Sequence, residues 1–139
     1  MSIETKLAAL RADFANLPDD EERLRLLIQR GRRALPLAFS EKNDARLLPG
    51  CISSLWLIPG YTDGVCRFRF DADAQVVRGV AALVCGLYDG ETPATIVACP
   101  RDFLNDLGIG RFLTSNRSNS LNLLEERIHV FAELQLYAP

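Results

Sequence analysis

The chain is expected to fold as an α+β protein, a small antiparallel β-sheet covered by helices. Three observations predict this. Two segments near the start repeat apolar residues at steps of three and four; a central stretch alternates apolar and polar residues on either side of turn chemistry; the remainder returns to helical spacing. At 139 residues, 48% of them hydrophobic and 24% charged, the chain suits one domain over residues 1–139.

Ile3, Leu7, Leu10, Phe14 and Leu17 mark the first helix, and Pro18 interrupts it. Asp19 and Glu22 have the spacing of a capping box and open a second helix through Leu24, Leu27 and Ile28, which should fail between Gly31 and Pro36. Leu37 to Arg46 is mixed and polar, with Ser40, Asn43 and Asp44, and reads as a loop leading to Pro49-Gly50-Cys51. Ile52 to Ile58 is β-prone, Pro59 to Gly64 supplies turn residues, and Val65 to Phe70 alternates, so a hairpin is predicted. Cys66, Phe68 and Phe70 share its core face, which makes Cys66 an inert buried thiol.

After Asp71-Ala72-Asp73-Ala74, helical spacing resumes through Val76, Val77, Val80, Leu83, Val84 and Leu87 and ends at Asp89-Gly90. This run is apolar nearly all round, so the helix should be central and Cys85 should lie in the core. Thr92-Pro93 begins a short helix in the N-cap then N1 arrangement, and Cys99-Pro100 ends it. Asp102 to Leu107 forms another, stopped by Gly108. Leu121, Leu124, Ile128 and Phe131 stripe a long terminal helix, with His129 off the stripe and expected in solvent.

Charge excludes some functions. Lys plus Arg is 16 against Asp plus Glu at 18, a net charge of -2, without the basic excess that sequence-independent nucleic-acid binding requires. No run approaches a membrane span, and Glu4, Arg11 and Asp13 stand where a signal peptide would be apolar, so a cytoplasmic protein without a membrane role is expected. The four cysteines, at 51, 66, 85 and 99, form no Cys-x-x-Cys pair, and His129 is the only histidine; no metal site is predicted. There is no glycine-rich phosphate loop, and Asp19-Asp20-Glu21-Glu22 suits a helix start better than acid/base chemistry.

Thiol chemistry remains. Cys51 follows a Pro-Gly pair and precedes an apolar run, a position that a core thiol does not require; Cys99, also near a turn, is its rival. A neighbouring cation would lower the thiol pKa, and Leu113 to Ser120, a polar segment before the terminal helix, offers Arg117, which simple helix capping by Ser and Asn does not need.

Three blocks in order resemble the SufE/CsdE family of sulfur acceptors. They are Leu48-Pro49-Gly50-Cys51-Ile52-Ser53-Ser54-Leu55-Trp56, preceded by Gly31 and Leu35-Pro36; Asp71 to Val80; and Leu107-Gly108 with Leu113-Thr114-Ser115-Asn116-Arg117-Ser118-Asn119. The resemblance runs from about Leu26 to the terminal helix and implies a SufE-like fold. It further implies that Cys51 receives sulfur as a persulfide from a pyridoxal-phosphate-dependent cysteine desulfurase, stimulates that enzyme, and passes the sulfur towards an iron-sulfur scaffold assembly. Arg117 would favour the thiolate and Asp73 would help hold the cysteine loop closed. The chain would be no desulfurase itself. With Lys6 and Lys42 its only lysines and nothing resembling a Schiff-base site, it would carry no cofactor of its own. It would be a monomer or weak homodimer. Ile52, Ala72, Phe112 and Ser120 depart from the family's usual Gln, Ser, His and Gly. Two other functions stay open on the residues: a non-catalytic adaptor that binds the desulfurase, or a thiol redox protein.

Overall fold

In the computed structural model, residues 2–49, 54–101, 103, 107–109 and 115–137 are described, with side chains from 121 onward in the last segment. Helix α1 (Ile3–Ala15) starts at Ser2, whose hydroxyl accepts the Thr5 N–H at 3.2 Å, and buries Ile3, Leu10 and Phe14. Helix α2 (Asp20–Arg33) is capped by Asp19, which accepts the Glu22 N–H at 2.9 Å. Only that half of the expected capping box is seen, since the Glu22 carboxylate pairs with Arg25 at 2.5 Å. Acidic residues in the first turn and arginines in the last complement the helix dipole.

A hairpin follows, β1 (Leu55–Thr62) and β2 (Val65–Ala72), paired antiparallel with Thr62 opposite Val65. Its turn is tighter than the sequence suggests. Only Asp63 and Gly64 form it, both at positive φ (55° and 82°), the conformation whose twist suits a two-residue hairpin. Pro59 and Gly60 belong to the strand. Pro59 stands opposite Phe68, whose own N–H turns away from β1 to donate to the Asp89 carboxylate at 2.9 Å, so no ladder bond is forfeited. The expected strand start at Ile52 lies outside the described residues.

Both edges of this small sheet are covered. Along β2, the Cys66 N–H donates to the Glu91 carbonyl at 2.9 Å and the Gly90 N–H to the Cys66 carbonyl at 2.7 Å. Along β1, the Leu48 N–H donates to Leu55 at 2.9 Å and the Leu57 N–H to Arg46 at 3.0 Å. No long strand edge is left open to another chain among the described residues.

The central helix is α3 (Gln75–Tyr88), which buries Val77, Val80, Leu83, Val84, Leu87 and Tyr88 beneath the hairpin's inner face of Cys66, Phe68 and Phe70. It meets α2 backbone to backbone: a Cβ on Gly79 would stand 2.4 Å from the Leu27 carbonyl oxygen, and one on Gly31 2.8 Å from the Gly79 nitrogen. Helix α4 (Pro93–Ala98) begins at the Thr92 cap as expected. Helix α5 (Ser115–Tyr137) packs on α3 and α4, with Phe131 edge-on to Phe68 at 6.0 Å. It begins earlier than its apolar stripe suggests, because Ser115 to Ser120 are already helical rather than a loop before it. Of the short helix expected at Asp102 to Leu107, Asp102 and residues 104–106 lie outside the described residues, while Phe103 and Leu107 are buried. The architecture is the α+β arrangement that the patterns predict.

Candidate functional site

The described residues on either side of the Cys51 stretch are fastened to one another. Leu47 bridges Trp56, and Leu48 donates to Leu55, so the residues before and after the stretch lie side by side. Asp73 secures the far end with two hydrogen bonds: its carboxylate accepts the Ser54 N–H at 2.9 Å, and its own N–H donates to the Ser54 carbonyl at 3.2 Å. Asp73 can do this because β2 ends at Ala72, opposite Leu55, which delivers the next residue to the chain leaving the Cys51 stretch.

Two residues earlier lies a group that the sequence did not single out. Asp71 is 4% exposed, on the outer face of the hairpin with Arg67 and Arg69. The segment after α2 folds over it. Its carboxylate accepts the Leu37 N–H at 3.0 Å and the Ala72 N–H at 2.8 Å, and lies 3.1 Å from both Lys42 Nζ and Arg78 Nε. Burial pushes its pKa up, but the Leu37 amide, Lys42, the Ala72 amide and Arg78 together outweigh that and hold it below the usual carboxylate range. Lys42 also stands 5.4 Å over the Trp56 ring, the residue opposite Asp71, and Arg78 donates to the Ala34 carbonyl at 3.0 Å. The buried charge therefore ties the end of α2, the segment after it, α3 and β1 into one frame beside the Cys51 stretch. The sequence pattern carries no warning of this, because the alternation is read only as far as Phe70 and Asp71 is placed in the segment after it.

Of the three predicted site residues, Asp73 is described, and it is hydrogen-bonded to Ser54. Cys51 and the side chain of Arg117 lie outside the described residues; the Arg117 backbone is in the first turn of α5. The other thiols are buried and none is in a disulfide. Burial pushes the pKa values of Cys66 and Cys85 up, which starves them of thiolate. Cys99, at the end of α4, directs its thiol to the Pro100 carbonyl at 3.5 Å.

His129 corrects the expectation of a solvated histidine. It is 8% exposed, its Nε2 3.1 Å from the Tyr88 hydroxyl, which donates to Glu125 at 2.9 Å. Leu121, Glu125 and His129 follow one another at steps of four, so α5 turns a broader arc inward than its apolar stripe shows, and the Tyr88 hydroxyl of α3 supplies the polar partner. Burial and Arg101 both lower the His129 pKa. Among the described residues no group of three or more His, Cys, Asp or Glu side chains could hold a metal, and no helix is long and apolar enough to cross a membrane.

The SufE family, described as an Fe-S metabolism associated domain, matches residues 8–132. A SufE-like protein of Rhizobium etli is 32% identical over 132 residues, covering 91% of this chain and 88% of that protein. The sulfur acceptor protein CsdE of Escherichia coli is 34% identical over 86% of this chain and 82% of its own. A solution structure of a hypothetical protein from Thermus thermophilus superposes with a TM-score of 0.79, covering 96% of this chain and 97% of the other at 21% identity, a likeness of fold. The match over residues 8–132 and relatives of this closeness along most of their length place the chain in the SufE family of Fe-S metabolism associated domains.

Proposed function

We propose that the chain is a sulfur acceptor and carrier in which Cys51 takes sulfane sulfur from a pyridoxal-phosphate-dependent cysteine desulfurase and delivers it for iron-sulfur cluster assembly. The observation that carries this reading is the double hydrogen bond from Asp73 to Ser54, three residues beyond the thiol, together with the pairing of Leu48 on Leu55. A thiol stretch fastened at both ends can be offered to a partner without loosening the sheet beneath it. The relative named as a sulfur acceptor supports the same reading.

The chemistry is thiol exchange. The Cys51 thiolate attacks the outer sulfur of the desulfurase persulfide; a new S–S bond forms as the old one breaks, and the desulfurase cysteine leaves as thiolate. One sulfur atom moves with no net oxidation, so no further oxidant is needed. Arg117 favours the attacking thiolate by its charge, and Asp73 sets the position of the stretch. The protein acts in the cytoplasm.

Intact mass after mixing the chain with desulfurase and cysteine tests this. The wild type gains one sulfur atom and Cys51→Ser gains none. A wild type that stays unmodified while the desulfurase still accelerates would make the chain an adaptor instead.

A further inference from the structure

Where α5 lies on α3, three polar side chains are buried together. His129 Nε2 stands 3.1 Å from the Tyr88 hydroxyl, which donates to Glu125 Oε2 at 2.9 Å, and the two α5 residues approach each other to 3.7 Å. These hydrogen bonds join α5 to α3, whereas α2 is held on α3 separately, by the close approach of Gly31 and Gly79. One hydroxyl does not satisfy a carboxylate. An ionised carboxylate has room for about four hydrogen bonds. Yet Glu125 Oε1 is buried with no hydrogen-bond partner among the described residues. Ionised, Glu125 would hold a buried charge on a single donor, at a desolvation cost that this one bond does not recover.

The other groups facing the cluster leave Glu125 as the one that changes charge near neutral pH. Burial outweighs the Tyr88 hydrogen bond and the charge of Arg101, beyond α4, and raises the Glu125 pKa from 4.5 to about 7. Cys85 and Tyr88 of α3 stay protonated, since burial pushes both pKa values up. Burial and Arg101 lower the His129 pKa, which keeps the imidazole neutral. Cys99, Arg101 and Glu133 line a cleft of about 350 Å³ that reaches His129 and gives water and protons a way to the cluster.

We infer that Tyr88, Glu125 and His129 form a proton-operated clasp that seats α5 on α3 while Glu125 is neutral and lets α5 open ahead of the rest of the fold as Glu125 loses its proton. The open state exposes the carboxyl group to water, where it ionises at its ordinary value. Opening therefore becomes easier as pH rises from about 4.5 to about 7 and changes little above that.

Amide hydrogen exchange of the full chain, read by mass spectrometry at about pH 5.5 and about pH 8 and corrected for intrinsic rates, tests the clasp in wild type and Glu125→Gln. Across α5, protection in the variant relative to wild type should rise by about tenfold or more between the two pH values, a ratio in which His129, common to both proteins, cancels. At the higher pH the wild-type α5 should also exchange ahead of α2. A ratio that does not move with pH overturns the clasp, because Glu125 then does not change charge on opening. Wild-type α5 and α2 that exchange together at the higher pH overturn it too, because α5 then leaves only when the whole chain unfolds.

Discussion

Replacing Glu125 with glutamine tests whether α5 is held on α3 by a carboxyl group that folding keeps neutral. Glu125 is 3% exposed; one oxygen accepts from the Tyr88 hydroxyl, and the other, Oε1, is buried with no hydrogen-bond partner among the described residues. Burial raises its pKa from 4.5 to about 7, against the opposing pull of the Tyr88 hydrogen bond and Arg101. Between those two values the folded chain keeps a proton that the unfolded chain has released, so stability falls as pH rises through the window and the loss is complete above it. At 1.36 kcal/mol per pH unit, that span amounts to about 3 kcal/mol. Glutamine has nearly the same shape, still accepts from Tyr88, and never ionises. Glu125→Gln should therefore match wild type near about pH 4 and exceed it by up to about 3 kcal/mol near about pH 8.5, measured by urea unfolding at both. His129 works in the opposite direction, since its lowered pKa makes protonation costly in the folded state, but it is present in both proteins and cancels in the difference. Parallel pH profiles for the two proteins would refute the reasoning.

Two glycines of α3 should respond in opposite ways to alanine. Gly79→Ala drives a methyl to 2.4 Å from the Leu27 carbonyl oxygen, forcing α2 off α3 at a cost of about 2–3 kcal/mol or more, whereas Gly86→Ala meets nothing within 4 Å and should stabilise by about 0.5–1 kcal/mol. Thermal melts of the pair decide it, and a loss of stability in both would show that helix propensity is not what Gly86 lacks. Asp73→Ala should free the Ser54 N–H, seen as faster amide hydrogen exchange at that residue, with a global loss of only about 1 kcal/mol. Unchanged exchange at Ser54 would mean that Asp73 does not fasten the Cys51 stretch.

Features set by local chemistry were legible before any coordinates. Asp19 caps α2, Thr92-Pro93 starts α4, and the alternation of Cys66, Phe68 and Phe70 names the buried face of β2, because each depends on residues within a turn or strand of itself. What escaped depends on which distant segment arrives. Pro59-Gly60 looks like a turn and is strand, because Phe68 opposite has given its amide to Asp89. Asp71 looks solvated and is buried, because the chain from Leu37 to Lys42 crosses over it bringing an amide and an ammonium. His129 looks solvated and is buried, because Tyr88 on α3 has a hydroxyl that needs partners at that depth. In each case a polar residue is admitted to the interior by a partner remote in sequence, and periodicity, which sorts residues by type, has no means of seeing that partner.

The candidate site divides along the same line. Cys51, singled out by the Pro-Gly pair before it and by the family resemblance, lies outside the described residues, and the frame beside it was not legible, because that frame is assembled from α2, the segment after it, β1, β2 and α3. Asp71 is where these converge. A hydrophobic contact there could hold the same elements together, but it would not orient them, whereas a carboxylate that must satisfy Leu37, Ala72, Lys42 and Arg78 at once admits only one arrangement of the four. That constraint fixes the direction in which β2 ends, and so fixes Asp73 against Ser54. On the proposed reading, in which the Cys51 thiol meets another protein's persulfide in line, holding the base of the stretch to a single geometry matters more than the stability that the buried pair adds.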